Sequence, residues 1–469
     1  MMVLIVLIAP IIVSVLLLFP EIVFQWKTRR LVSGNGTRVP RGNWWLPWIG
    51  SSLDFLLKSP DQFYKDNFSR YGSIYLTHVL GSPTIMTSTP EEAKFVLASR
   101  HRSFRACYPT SIQRVLNDPS WEGDFHSRIR KIIQTPMLPE SLQLNIGKFD
   151  SLVRVVLTSW EKSPYIITHD ETRKLAFNIA LYVSCTLPPS DDSAKMLEDY
   201  GHLSIGTVSL PFDIPGTRFH VALKKSKEIL ARLNDIIISR RMKKVVYDDI
   251  LSSLMESTDK NGKYLSNNEI RDILITFIFA GHETTAVFLV WIVKYLTDNP
   301  DILEQVKTEQ CHVKMSKSEN EPLSWCDLKN MPLTSRVVQE TLRLSNVAPF
   351  SPREVIEDVE YKGVFIPKGW KVQVYYRHFH LSPEYYKDPY KFDPSRFELP
   401  LKPSIYMPFG NGVRLCPGSE LVKLEALLFV HNLVTTYSWK IVGQDRGTQY
   451  WPTPRPRGGL RLEISKIVN

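Results

Sequence analysis

The chain reads as mainly α-helical with small β regions, and two observations lead there. Ser266-Asn267-Asn268-Glu269 is a capping box, in which serine and glutamate satisfy each other's orphan amides, and the apolar pattern after it meets no breaker until Asp298-Asn299-Pro300. Roughly thirty residues at 1.5 Å rise make one helix of about 45 Å, enough to cross a domain. A further helix is expected after it, with Asn299 as cap and Pro300 in its first turn. Glu360 to Ile366 and Gln373 to Tyr376 carry the pattern of short strands.

Composition narrows the function classes. The 469 residues are 43% hydrophobic and 23% charged, which supplies a sizeable core and excludes disorder. A formal net charge of +10 favours an anionic membrane surface or an acidic partner, and without a dense basic run no nucleic-acid partner is expected. Cys107, Cys185, Cys311, Cys326 and Cys416 are scattered and contain no CxxC pair, which argues against a disulfide framework or zinc cluster and for reduced thiols in a cytosolic setting.

Residues 1–26 read as an N-terminal membrane anchor. Met1 to Phe19 hold no charge, and about twenty apolar residues cross a hydrocarbon core of roughly 30 Å, although Pro10 would kink the helix. Lys27, Arg29 and Arg30 follow the span, so the body is expected to stay on the cytosolic face. A cleaved signal peptide fits less well, because the run is long and no basic segment precedes it. Asn35-Gly36-Thr37 is then not expected to be glycosylated. Residues 27–50 form a basic, proline-containing hinge, and with no internal repeat or linker beyond it, 51–469 is read as one catalytic domain.

Chemistry concentrates near the C-terminus. In Phe409-Gly410-Asn411-Gly412-Val413-Arg414-Leu415-Cys416-Pro417-Gly418 three glycines permit tight turns around a single cysteine. Glycine amides near the sulfur and the charge of Arg414 should lower the Cys416 thiol pKa, whereas Cys107 and Cys185 read as inert core residues.

Phe409, Gly410, Gly412, Arg414, Cys416 and Gly418 resemble the haem-binding loop of the cytochrome P-450 family at its defining positions. The resemblance implies that family's fold with one N-terminal transmembrane helix, haem b as cofactor, and Cys416 as axial ligand of the haem iron. Ala280-Gly281-His282-Glu283-Thr284-Thr285, inside the long helix, looks like the family's oxygen-activation motif. By that likeness Thr284 donates a hydrogen bond to the oxygen being activated and Glu283 helps relay protons. The mid-helix Gly281, which costs about 1 kcal/mol against alanine, is explained by close approach of dioxygen to the backbone.

Glu340 and Arg343, three apart on one helical face, resemble with Arg396 the family's buried structural Glu-Arg-Arg network. His378 and His380 sit as in the family's meander, and no second metal is expected there. His126 and Arg130, four apart, match propionate-binding positions, with histidine a departure from the usual tryptophan; Arg353 and Arg414 complete the set.

The implied activity is a monooxygenase reaction on an apolar terpenoid-derived small molecule. Segment 210–219, the meander and Glu360-Tyr361-Lys362-Gly363 are similar to the plant branch that oxidises brassinosteroids, abscisic acid, gibberellin precursors, triterpenoids and strigolactone precursors. No nicotinamide or flavin fingerprint accompanies the loop, so NADPH-cytochrome P-450 reductase is the implied electron donor, and the endoplasmic reticulum membrane the implied location, with a single span. Two alternatives stand beside this: an isomerase or dehydratase of the same fold needing no external electrons, and a non-catalytic haem-binding protein.

Overall fold

The computed structural model describes residues 31, 34–43, 51–79, 82–118, 121–318, 321–402, 404–450 and 453–467. The expected anchor at 1–26 and most of the hinge at 27–50 lie outside the described residues. The chain divides into two compact units, and each is described by itself.

The first unit holds residues up to Cys107, Pro349–Pro389 and Pro403–Leu415. Its centre is a six-stranded sheet in the order Gly42–Asn43, Ile74–Val79, Ser82–Thr87, Lys371–Tyr375, Phe350–Val355, Phe104–Ala106. Leu76 pairs antiparallel with Ile85, which pairs parallel with Val372. One face of those strands, with Val96, Leu97, Phe379 and Met407, forms a closed apolar core. The β-rich stretch expected from Glu360 to Ile366 is two strands, Val359–Tyr361 and Val364–Ile366. Lys362 and Gly363 both take positive φ between them, the turn geometry that a right-twisted hairpin requires.

The second unit holds residues 108–348, 390–402 and 416–469 and is mostly helical. The helices used below are α1 (Gly123–Gln134), α2 (Thr168–Cys185), α3 (Asp191–Thr207), α4 (Asn267–Asp298), α5 (Pro332–Ser345) and α6 (Ser419–Thr436). The 32-residue α4 starts at the capping box, where Ser266 Oγ accepts from the Glu269 amide at 3.2 Å and Glu269 Oε2 accepts from the Ser266 amide at 2.8 Å. From Thr285 to Val293 every residue of α4 is buried, as in a helix apolar on all sides. Alone among the described helices it is long and apolar enough to span a bilayer, but packed this way it is the core of its unit. Asn299 stands at the N-cap of the helix Pro300–Met315 as expected, its carbonyl accepting from the Leu303 amide at 3.0 Å, while its side chain donates to the Tyr295 carbonyl at 2.8 Å and closes α4.

Two small β elements end the unit. Tyr437–Ile441 pairs with Arg461–Lys466, which also pairs with Ile166–Ile167. Thr448–Gln449 and Arg455–Pro456 form a separate C-terminal hairpin.

Candidate active site

Within the first unit the segment from Ile405 to Leu415 is fixed by backbone bonds. Tyr386 donates its hydroxyl to the Ile405 carbonyl at 3.0 Å, and the Met407 amide donates to His380 Nε2 at 2.9 Å. His380 is thus committed to the backbone. Gly410 and Gly412 carry φ of +78° and +72°. A Cβ on Gly412 would lie 2.0 Å from the Leu97 carbonyl oxygen, so only glycine fits. The Gly410 amide donates to Met407 O and the Gly412 amide to Asn411 Oδ1, so both are used inside the turn rather than at the sulfur. Arg353, on strand Phe350–Val355, is buried and donates to the Pro352 carbonyl at 2.9 Å.

Cys416 opens the second unit's part of the loop. The residue is exposed, yet protein surrounds it closely enough that burial pushes its thiol pKa up, against a hydrogen bond from the Gly418 amide and the charge of Arg130, which pull it down. For the free thiol this corrects the sequence expectation of a lowered pKa, and Arg130 is a cation beside the sulfur that the sequence reading had assigned only to a propionate. Burial in turn lowers the Arg130 pKa, and Cys416 raises it. His126 shares α1 with Arg130, both half-buried. Gly418 has ordinary φ of −86°, and nothing lies within 4 Å of where its Cβ would be. Its lack of a side chain serves open space, not a turn.

On α4, Ala280 and Thr284 are exposed although Ile278, His282, Glu283 and the run from Thr285 to Val293 are buried, and being four apart they share one face. Thr284 Oγ1 donates to the Ala280 carbonyl at 2.7 Å and keeps its lone pairs toward the open side. Gly281 has a reason the sequence did not show: a Cβ there would stand 3.3 Å from Ala180 Cβ, so glycine lets α4 and α2 approach closely.

Glu283, one residue before Thr284, is buried and ringed by donors. His169 Nε2 lies 3.5 Å away, Arg173 Nε 3.2 Å and Arg455 Nη1 3.3 Å, while Ser204 Oγ donates at 3.3 Å. A Cβ on Gly201 of α3 would press within 3.1 Å of Arg173 Nη2, so glycine admits that guanidinium. Burial works to raise the Glu283 pKa, but the His169 hydrogen bond and the charges of Arg173 and His282 outweigh it and hold the carboxyl well below its usual range. Sequence reading named none of these partners except through Glu283 itself; the only available signal was the four-residue spacing of His169 and Arg173 on one helix face.

Glu340, Arg343 and Arg396 meet in the second unit. Arg343 donates from Nε and Nη2 to the two Glu340 oxygens, each at 2.7 Å, and Arg396 Nε reaches Oε1 at 3.3 Å. The Asp393 amide adds a 3.0 Å bond to the same oxygen. A buried ion pair is tolerable only when its remaining lone pairs are satisfied like this.

These residues suit a thiolate-held haem: an exposed sulfur with an amide and a cation beside it, a side-chain-free position at Gly418, and an open face midway along a buried helix. The family model for cytochrome P450 matches residues 201–460. Abscisic acid 8'-hydroxylase 2 of Arabidopsis thaliana is 40% identical over 450 residues, covering 94% of this chain and 92% of that protein. An abscisic acid 8'-hydroxylase of Solanum lycopersicum is 39% identical over 440 residues, covering 93% and 92%. Among solved structures, a retinoic acid-bound cyanobacterial CYP120A1 superposes with a TM-score of 0.84 at 30% identity, covering 92% of this chain and all of that one. Likeness of this extent in sequence and in fold, added to the cysteine loop and the open face of α4, places the chain in the cytochrome P450 family, as a monooxygenase whose cofactor is thiolate-ligated haem.

Proposed function

We propose that this enzyme hydroxylates a terpenoid-derived carboxylic acid, with abscisic acid or another carotenoid-derived acid, such as a strigolactone precursor, as its substrate. The comparisons support the class: relatives near 40% identity are named for abscisic acid, and the superposed structure is named for bound retinoic acid. Both are isoprenoid acids. The observation that carries the reaction type is the Ala280–Thr284 face, open on an otherwise buried helix beside an ionised carboxylate.

Cys416 would hold the iron, with the Gly418 amide orienting its sulfur. When bound, the haem supplies the oxidising power, because electron donation from a thiolate favours cleavage of the O–O bond. Phe409, Gly410, Gly412, Arg414 and Gly418 would form the loop that carries it, and His126, Arg130, Arg353 and Arg414 are the proposed propionate partners, on the family resemblance. Thr284 holds a hydroxyl proton at the open face, donated to the Ala280 carbonyl, and can turn it outward by rotation about its Cβ–Oγ1 bond. Glu283, kept anionic by its cations, serves as an acceptor that orders the proton path rather than as a stored acid. Glu340, Arg343 and Arg396 act structurally.

The same reading gives an anchor at 1–26, a hinge at 27–50 and a catalytic region at 51–469, held by one span in the endoplasmic reticulum membrane on its cytosolic face. Electrons come from NADPH-cytochrome P-450 reductase. The test is mass-spectrometric product analysis of microsomes carrying the full chain and reductase, fed terpenoid acids and their methyl esters. NADPH-dependent addition of one oxygen atom to an acid, but not to its ester, is expected. Equal turnover of esters would remove the carboxylate from the proposal, and product formed without NADPH would favour the isomerase class.

A further inference from the structure

The partners around Glu283 do not all come from one kind of element. His169 and Arg173 sit on α2, which approaches α4 closely at Gly281 and Ala180, and Ser204 sits on α3. Arg455 lies on a two-residue strand of the C-terminal hairpin, paired only with Thr448–Gln449. So small a ladder has little stability of its own. Ties to α4 include Arg455 to Glu283 Oε1 at 3.3 Å, Trp291 Nε1 donating to the Pro454 carbonyl at 2.8 Å and, just before the hairpin, Lys294 Nζ to Asp445 at 2.9 Å.

Charge and distance make the first tie adjustable. Two permanent cations, Arg173 and Arg455, face one carboxylate, and none of the contacts is shorter than 3.2 Å, long for charge-assisted bonds. Glu283 is therefore shared among competing partners rather than locked to one. Arg455 and His169 claim Oε1, while Arg173 and Ser204 claim Oε2. Removing Arg455 leaves Oε1 to His169 alone and lets the carboxylate turn toward α2 and α3.

We propose that Arg455 is a positioning residue for proton delivery: from the C-terminal hairpin its guanidinium holds Glu283 Oε1 and so fixes the orientation of the carboxylate next to Thr284. The inference rests on the roles proposed above for Glu283 and Thr284. In productive turnover substrate, O2, NADPH and a proton give hydroxylated product, water and NADP+. When proton delivery fails, O2, NADPH and a proton give hydrogen peroxide and NADP+ instead. Arg455 therefore governs the partition between these two outcomes rather than the capacity to bind haem.

The test compares Arg455→Gln, Arg455→Lys, Trp291→Phe and Thr284→Ala in the full-length, haem-loaded chain. Two readouts are taken: peroxide released per NADPH consumed, with reductase and abscisic acid as probe, and amide hydrogen exchange of 448–457 and 278–286 without substrate. Arg455→Gln should raise peroxide per NADPH roughly threefold to tenfold, the scale of one lost link in a coupled network. It should also speed exchange in both segments. Arg455→Lys should recover part of the loss, because the charge remains without the planar fork. Trp291→Phe cuts a different tie of the same hairpin, one that does not touch Glu283, so it should speed exchange in 448–457 while leaving 278–286 and the peroxide ratio close to wild type. If Trp291→Phe and Arg455→Gln behave alike in both readouts, or if Arg455→Gln leaves 278–286 unchanged, the inference is overturned. Thr284→Ala separates the two levels: should it release no extra peroxide, the proton-delivery reading itself fails, whereas extra peroxide there but not in Arg455→Gln defeats the positioning role alone.

Discussion

Arg343 grips Glu340 through two 2.7 Å hydrogen bonds between side chains that have no exposed surface at all. Breaking a buried pair from one side strands the other charge, at about 3–5 kcal/mol. Glu340→Ala should therefore lose that much stability, and Arg343→Lys a large part of it, since an ammonium cannot make both bonds. Thermal or denaturant unfolding measures the loss; a change within about 0.5 kcal/mol, the range of ordinary surface substitutions, would show that the pair is dispensable.

The two glycines flanking the cysteine should fail differently. Gly412→Ala puts a methyl 2.0 Å from the Leu97 carbonyl and forces alanine to a φ of +72°, so the polypeptide itself is destabilised, by more than the 1–2 kcal/mol that left-handed backbone alone costs. Gly418→Ala meets no protein atom within 4 Å and needs no unusual φ. The apo chain should fold as before while haem content falls. Melting of apo and reconstituted protein separates the two, and equal behaviour of the variants would refute the distinction.

Acid and alkali should weaken the fold through different groups. Burial lowers the pKa of His282, against Glu283 and the Ile278 carbonyl, and of His431, against Asp150, each to about 4. Both values lie below the roughly 6.5 of an unfolded histidine, so from about pH 6.5 down to 4 the unfolded chain takes up protons that the fold refuses. Stability should fall across that window by about 1.4 kcal/mol per pH unit for each ring, and His282→Phe, in a site lined by Phe177, Tyr200 and Phe279, should flatten the slope. Glu425 has the opposite sign. Burial alone raises its pKa well above the usual range, and Oε2 has no hydrogen-bond partner among the described residues, so its contribution is lost as pH rises above the unfolded value. Glu425→Gln should raise the melting temperature at pH 8 more than at pH 5; an unchanged difference would place the carboxylate in contact with water.

Much of this could be read from the chain, and what could not has a common cause. The long helix α4 was legible because a capping box and an unbroken apolar run are local signals, and Glu340 with Arg343 because three-residue spacing fixes a shared face. The hairpin around Lys362-Gly363 was hidden inside a run that looked like one strand, since a two-residue turn interrupts the alternation only briefly. Asn299 serves both neighbouring helices, its carbonyl opening the second and its side chain closing α4, and only the first of these roles was legible. The environment of Glu283 was beyond reach: His169, Ser204 and Arg455 arrive from 114, 79 and 172 positions away, and beyond the spacing of His169 and Arg173 no local pattern marks them. At Gly418 the expected approach of an amide to the sulfur is present, while the open space beside that glycine and the packing of Gly281 against Ala180 were not legible, since both depend on residues distant in sequence.

Thr284→Ala should lower product formation about tenfold or more, the low end for removing a positioned proton donor, while NADPH consumption continues and peroxide accumulates. Parallel assays of product, NADPH and peroxide check this. Product unchanged at normal peroxide would remove Thr284 from the reaction.

Ligation of the iron by the Cys416 thiolate is tested most directly by the absorption spectrum of the ferrous carbonyl complex of the full-length protein. The wild type should show the red-shifted Soret band of thiolate-ligated haem, and Cys416→Ser should lose it. A wild-type complex with the band of nitrogen-ligated haem, or a serine variant that keeps the thiolate band, would contradict the assignment.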